Sequence, residues 1–112
     1  MITSKRVERV AMELKRTLSR IIICELKDPR LGFITITKVE AEPDLKTAKV
    51  FLSVLAEPVK QNKVLSRIKH ARGYIQYLLG KEMELRTMPI LSFYLDNSVA
   101  EDIKPDKLID GC

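Results

Sequence analysis

"SRIKHARGYIQYLLG", residues 66–80, decides how the chain is read. Val64, Ile68, Ala71, Ile75, Leu78 and Leu79 recur at close to the helical period. Gly73 sits inside that run, where a glycine costs about 1 kcal/mol relative to alanine. It also stands where Lys69, His70 and Arg72 gather. The period predicts a helical region from Pro58 to about Lys81, kinked at Gly73 rather than looped, with Gly80 as a candidate C-cap. Two readings of Gly73 stay open. It lets two elements pack tightly, or it leaves the backbone bare for a phosphate to approach. If the helix breaks there, a new segment starts at Tyr74, and its free N–H groups and positive dipole end form an anion site. Lys69 and Arg72 beside it supply charge-assisted bonds to phosphate oxygens.

Upstream, Val7, Val10, Leu14, Leu18, Ile21 and Ile22 form one helical stripe, with Thr3 or Ser4 as N-cap. Lys5, Arg6, Arg9, Lys15, Arg16 and Arg20 fall largely off it. Pro29 stops this helix near Lys27, and "DPRLG" (28–32) reads as a turn. "GFITITKVE" (32–40) is a strand, with Ile34 and Ile36 on one face and Phe33, Thr35, Thr37 and Val39 on the other. "TAKVFLSVL" (47–55) alternates Ala48, Val50, Leu52 and Val54 against Thr47, Lys49, Phe51 and Ser53, and lies close enough to pair with the first strand as a hairpin. "ILSFYLD" (90–96) is a third strand, with Leu91, Phe93 and Leu95 on one face. The tail is weakly patterned, with one short helical turn around Asp106 to Ile109. The order is helix, strand, strand, helix, kink, helix, strand. It implies an α+β fold, a three-stranded sheet with helices packed on one face.

The chain has 112 residues, enough for one domain. Its net charge of +5 is unevenly spread. Residues 1–30 carry eight basic and four acidic side chains, and residues 58–87 carry seven and two. Residues 31–57 and 88–112 carry a net −1 and −3. The positive charge therefore sits on two helical segments, the pattern of a polyanion binder, or simply of solvated helix faces. No 18-residue apolar run exists, so no membrane span or membrane partner is expected. The densely charged start fits no signal peptide. Cys24 and Cys112 have no metal-site spacing and read as free thiols in a reducing compartment. The single histidine, His70, lies on a basic helix, and no carboxylate pair or Gly-rich nucleotide loop is present. No enzyme, metal, cofactor or small-molecule substrate is expected.

Three blocks in order carry a resemblance: "ELKDPRLGFITITKVE" (25–40), "DLKTAKVFLSVL" (44–55) and "LRTMPILSFYLDNS" (85–98). With the first helix and "ARG" (71–73), the chain resembles the ribosome-binding factor A family, which has a type II KH-like domain. The resemblance implies that the usual GxxG loop is replaced by an Ala-x-Gly kink, here Ala71, Arg72 and Gly73. It also implies a cytoplasmic, non-enzymatic factor of bacterial type. Such a factor binds the free small (30S) subunit and its 16S rRNA, assists late maturation and processing of the RNA 5′ end, and helps growth in the cold.

On this reading residues 1–98 form one KH-like RNA-binding domain, monomeric, and 99–112 an acidic tail. Lys63, Arg67, Lys69, Arg72 and Gly73 are the first candidates for RNA contact, then Lys5, Arg6, Arg9, Arg16 and Arg20. Lys27, Arg30 and Arg86 lie near the turns. The two cationic helical surfaces are expected to meet in a cradle at the Gly73 bend. Lacking GxxG, the site is expected to use shape and phosphate contacts rather than four splayed nucleotides. A protein adaptor that uses the polar sheet residues Thr35, Thr37, Lys49 and Ser53 is the rival. A DNA regulator is a second, though no helix-turn-helix signature is present.

Overall fold

The stripe of Val7, Val10, Leu14 and Leu18 makes Lys5–Arg20 a strongly amphipathic helix, α1. A computed structural model describes residues 5–26, 33–85 and 87–96. The expected N-cap, the 28–32 turn and the 106–109 turn lie outside them. α1 passes into a π-helical segment, Ile21–Leu26, which keeps Ile21 and Ile22 buried. Then come β1 (Ile34–Ala41), β2 (Thr47–Val54), α2 (Pro58–His70), α3 (Arg72–Glu82) and β3 (Ile90–Leu95). The element order is the one expected. Pro58 opens α2 at its first turn, where its missing N–H costs nothing. The Gln61 side-chain amide donates to the Val54 and Ala56 carbonyls at 3.2 and 2.8 Å, which fixes the entry into α2. Gly80 lies within α3 rather than at its end, and Met83 is the C-cap.

The sheet is mixed. β1 and β2 pair antiparallel, β2 and β3 parallel, in the order β1-β2-β3. A β-bulge falls between Ile36 and Lys38. The extra residue, Thr37, shifts the alternation, so Val39 opposes Val50 and packs against the core, contrary to the face expected for it. Lys38 opposes Phe51 on the other face. Leu45, in the β1–β2 connection, adopts φ 59°, and its side chain packs against the core.

One core lies between the sheet and the helices: Leu14, Leu18, Ile21, Val50, Leu52, Ile68, Ile75, Leu79 and Leu91 are its buried centre. α1 packs against β1 and α2 against β3, while α3 touches α1, α2 and β3. Gln76 ties α3 to the edge strand. Its side-chain amide donates to the Pro89 carbonyl, and its Oε1 accepts from the Leu91 N–H, both at 3.0 Å. The cysteine reading changes. Cys24 is disulfide-bonded rather than a free thiol.

Truncating Leu18→Ala is expected to cost about 2–5 kcal/mol in urea unfolding. Met12→Ala, at a side chain 73% exposed on the opposite face, is expected to stay within about 0.5 kcal/mol. Gln76→Ala leaves the Leu91 N–H and Pro89 carbonyl unpaired. It should lower stability by about 1–3 kcal/mol and speed exchange of the Leu91 amide.

Candidate nucleic-acid interface

The helical region breaks at Ala71, two residues before the expected position. Ala71 has φ −84° and ψ 2°, and its N–H is shared between the Arg67 and Ile68 carbonyls at 3.0 and 3.1 Å. That tight turn ends α2. The first bond of α3 runs from the Ile75 N–H to the Ala71 carbonyl at 2.9 Å. The amides of Arg72, Gly73 and Tyr74 therefore precede the first bond within α3, directly after the C-terminal carbonyls of α2.

Gly73 is exposed, and a Cβ built on it meets nothing within 4 Å. Its φ lies outside the left-handed region. Tight packing, one of the two readings of this glycine, is therefore not its role, and neither is backbone conformation. What glycine supplies here is an uncovered backbone.

Lys69, at the end of α2, and Arg72, at the start of α3, line a groove of about 410 Å³. Its other wall is β3: Leu91, Ser92, Phe93 and Tyr94. Both cations are exposed, and neither enters an ion pair among the described residues. A groove with two unneutralised cations and a strand edge is suited to a phosphate backbone.

The other described candidates do not line it. Exposed Lys63 and half-buried Arg67 are four apart on α2 and share a flank. Lys69, two residues on from Arg67, turns to the other side. On α1, Lys5, Arg9 and Arg16 line up with Met12 on the face opposite the buried stripe, and Arg6 is exposed nearer its flank. α1 lies over β1 and the groove lies on β3, at opposite edges of the sheet. The single cradle expected at the bend is thus divided into separate surfaces. Arg20 is committed elsewhere. Its guanidinium pairs with Glu25 at 3.8 Å and with Glu82 of α3, tying three elements together. Lys27, Arg30 and Arg86 lie outside the described residues.

The polar sheet patch is largely closed. Ser53 is 1% exposed, and the Thr35 hydroxyl is buried. Thr37 donates to Asp96 Oδ2 at 2.7 Å. Only Lys49 of that set remains exposed. Lys38 is held by Glu40 at 2.7 Å, and this hydrogen bond raises the lysine pKa above its ordinary value. Sequence reasoning missed Ser92 and Tyr94 of the groove and the Gln76 clamp beside it. The alternation of β3 could have placed Ser92 and Tyr94 opposite Leu91, Phe93 and Leu95. The pairing that makes β3 an edge has no local signal. Tyr74 and Tyr77 are exposed on α3, and the Lys81 ammonium lies 5.3 Å from the Tyr77 ring. Among the described residues, no group of three or more His, Cys, Asp or Glu side chains could hold a metal, and no helix is long and apolar enough to cross a membrane.

This arrangement matches known proteins over nearly the whole chain. The family model described as Ribosome-binding factor A matches residues 6–109. A Staphylococcus carnosus protein of that name is 40% identical over 108 residues, covering 96% of this chain and 94% of the relative. The crystal structure of ribosome-binding factor A from Thermus thermophilus superposes with a TM-score of 0.71 at 25% identity, over 80% of this chain and 94% of that one. Coordinates of the Thermus thermophilus factor, a homology model fitted into the cryo-EM map of a 30S complex, superpose with a TM-score of 0.64 at 26% identity, over 75% and 88%. The order of helices and strands, the mixed three-stranded sheet and the likeness in sequence agree: the chain belongs to the ribosome-binding factor A family.

Proposed function

We propose that this protein binds the free small ribosomal subunit through 16S rRNA and assists late assembly, including processing of the RNA 5′ end. The observation that carries the reading is the groove where Lys69 and Arg72 stand unpaired beside the exposed backbone of Gly73. It sits in a chain whose Thermus thermophilus relative has been fitted into a 30S complex. Lys63 and Arg67 on α2, and Lys5, Arg6, Arg9 and Arg16 on α1, add longer-range attraction for RNA. Lys27, Arg30 and Arg86 are further candidates.

Residues 1–98 act as one RNA-binding domain, and 99–112 form an acidic tail. The protein works as a cytoplasmic monomer without catalysis. It stabilises one RNA conformation by binding it more tightly than its competitors, the only way a ligand shifts such an equilibrium. That holding role matters most in the cold, where misfolded RNA resolves slowly. The adaptor reading loses support because Ser53 and Thr35 are closed off.

Affinity for precursor small-subunit RNA should fall steeply with salt, with a log–log slope of about −0.7 to −0.9 per phosphate contacted. In the same filter-binding titration, Arg72→Glu should weaken binding about ten-fold or more, and the same charge reversal at Lys104 far less. A flat salt response, or co-sedimentation that survives ribonuclease, would contradict the reading.

A further inference from the structure

The groove does not end at the helices. Tyr94, which lines it, also stacks on Phe51 across the outer face of the sheet, with ring centroids 5.5 Å apart and planes at 28°. The two residues are in register on neighbouring parallel strands. Lys38, in register with Phe51 on β1, places its ammonium 5.4 Å from the Phe51 ring. One row thus crosses all three strands: a cation, a ring and a second ring at the free edge. Tyr94 is 43% exposed. In the adjoining row Lys49, opposite Ser92, is exposed and unpaired among the described residues. On this face Phe51 is half-buried, so the exposed ring surface of the pair belongs mainly to Tyr94.

We propose that Phe51 and Tyr94 form a stacking platform for an unpaired nucleobase, reached from the Lys69–Arg72 groove over the β3 edge. Three features favour RNA over a protein partner. The platform is continuous with a groove carrying two unneutralised cations, a further free cation borders it, and its π-faces accept any base. A duplex cannot use it, because its bases already stack on one another. The inference rests on the RNA-binding reading above and narrows it. The groove holds phosphates and the sheet holds a base of the same single strand, so the target at this surface is unpaired RNA.

The test uses the full chain with a labelled ten-nucleotide oligoadenylate and a blunt RNA duplex of the same length. Tyr94→Leu and Phe51→Leu are expected to weaken oligoadenylate binding about five-fold or more and to change duplex binding less than two-fold. Tyr94→Phe, which keeps the π-face, should retain the affinity, and thermal unfolding of each variant checks that it folds. The platform is overturned if both leucine variants bind oligoadenylate like the parent while Arg72→Glu still weakens it. It is also overturned if they lose only binding to intact small subunits, which would put a protein on this face. If Arg72→Glu changes no RNA affinity either, the underlying RNA reading fails, a result distinct from failure of the platform alone.

Discussion

A one-residue interruption at Ala71 sets the geometry on which everything else depends. Had the helix run on, the amides of Arg72, Gly73 and Tyr74 would have been consumed by carbonyls of the preceding turn. Instead the shared bond from the Ala71 N–H closes α2, and the first bond of α3 runs from the Ile75 N–H to the Ala71 carbonyl. The apolar stripe survives the break, since Val64 and Ile68 on one side and Ile75 and Leu79 on the other all stay buried in one core. The chain therefore breaks between α2 and α3 without losing its hydrophobic anchor. Lys69 and Arg72 fall on either side of the break, which turns both toward β3.

The sheet supplies the other half of the site. The strand order β1-β2-β3 puts β3 at an edge, and Gln76 secures the start of that edge to α3. The helical break and the strand edge are thus held at fixed separation by a side-chain clamp and the core beneath. A groove built on regular elements holds its cations in place better than one built on a loop. The same edge carries Tyr94 to the outer face, so phosphate-binding and ring-bearing surfaces adjoin.

Much of this was legible in the sequence, for physical reasons. Periodicity gave α1, α2 and α3, because burying one face imposes a helical repeat. Alternation gave the strands for the corresponding reason. The register inside β1 is not legible: nothing in "ITITKVE" marks Thr37 as an inserted residue, so plain alternation puts Val39 on the wrong face. Helix propensity points to a break at Gly73, whereas it falls at Ala71, within the same Ala-x-Gly kink. Charge counts located the basic segments but not their partners. Arg20 looks like its neighbours until the fold brings Glu82 beside it. Nor does alternation alone reveal that Ser53, on a polar-looking face, is buried.

Gly73→Ala measures the central claim most directly, because the added methyl meets nothing in the free protein. Alanine has the higher helix propensity, so the thermal unfolding midpoint should hold or rise by a few degrees. If the bare backbone exists for a phosphate to approach, affinity for the small subunit should fall about ten-fold even though the variant is at least as stable. A variant that is equally stable and binds as tightly as the parent would contradict the account.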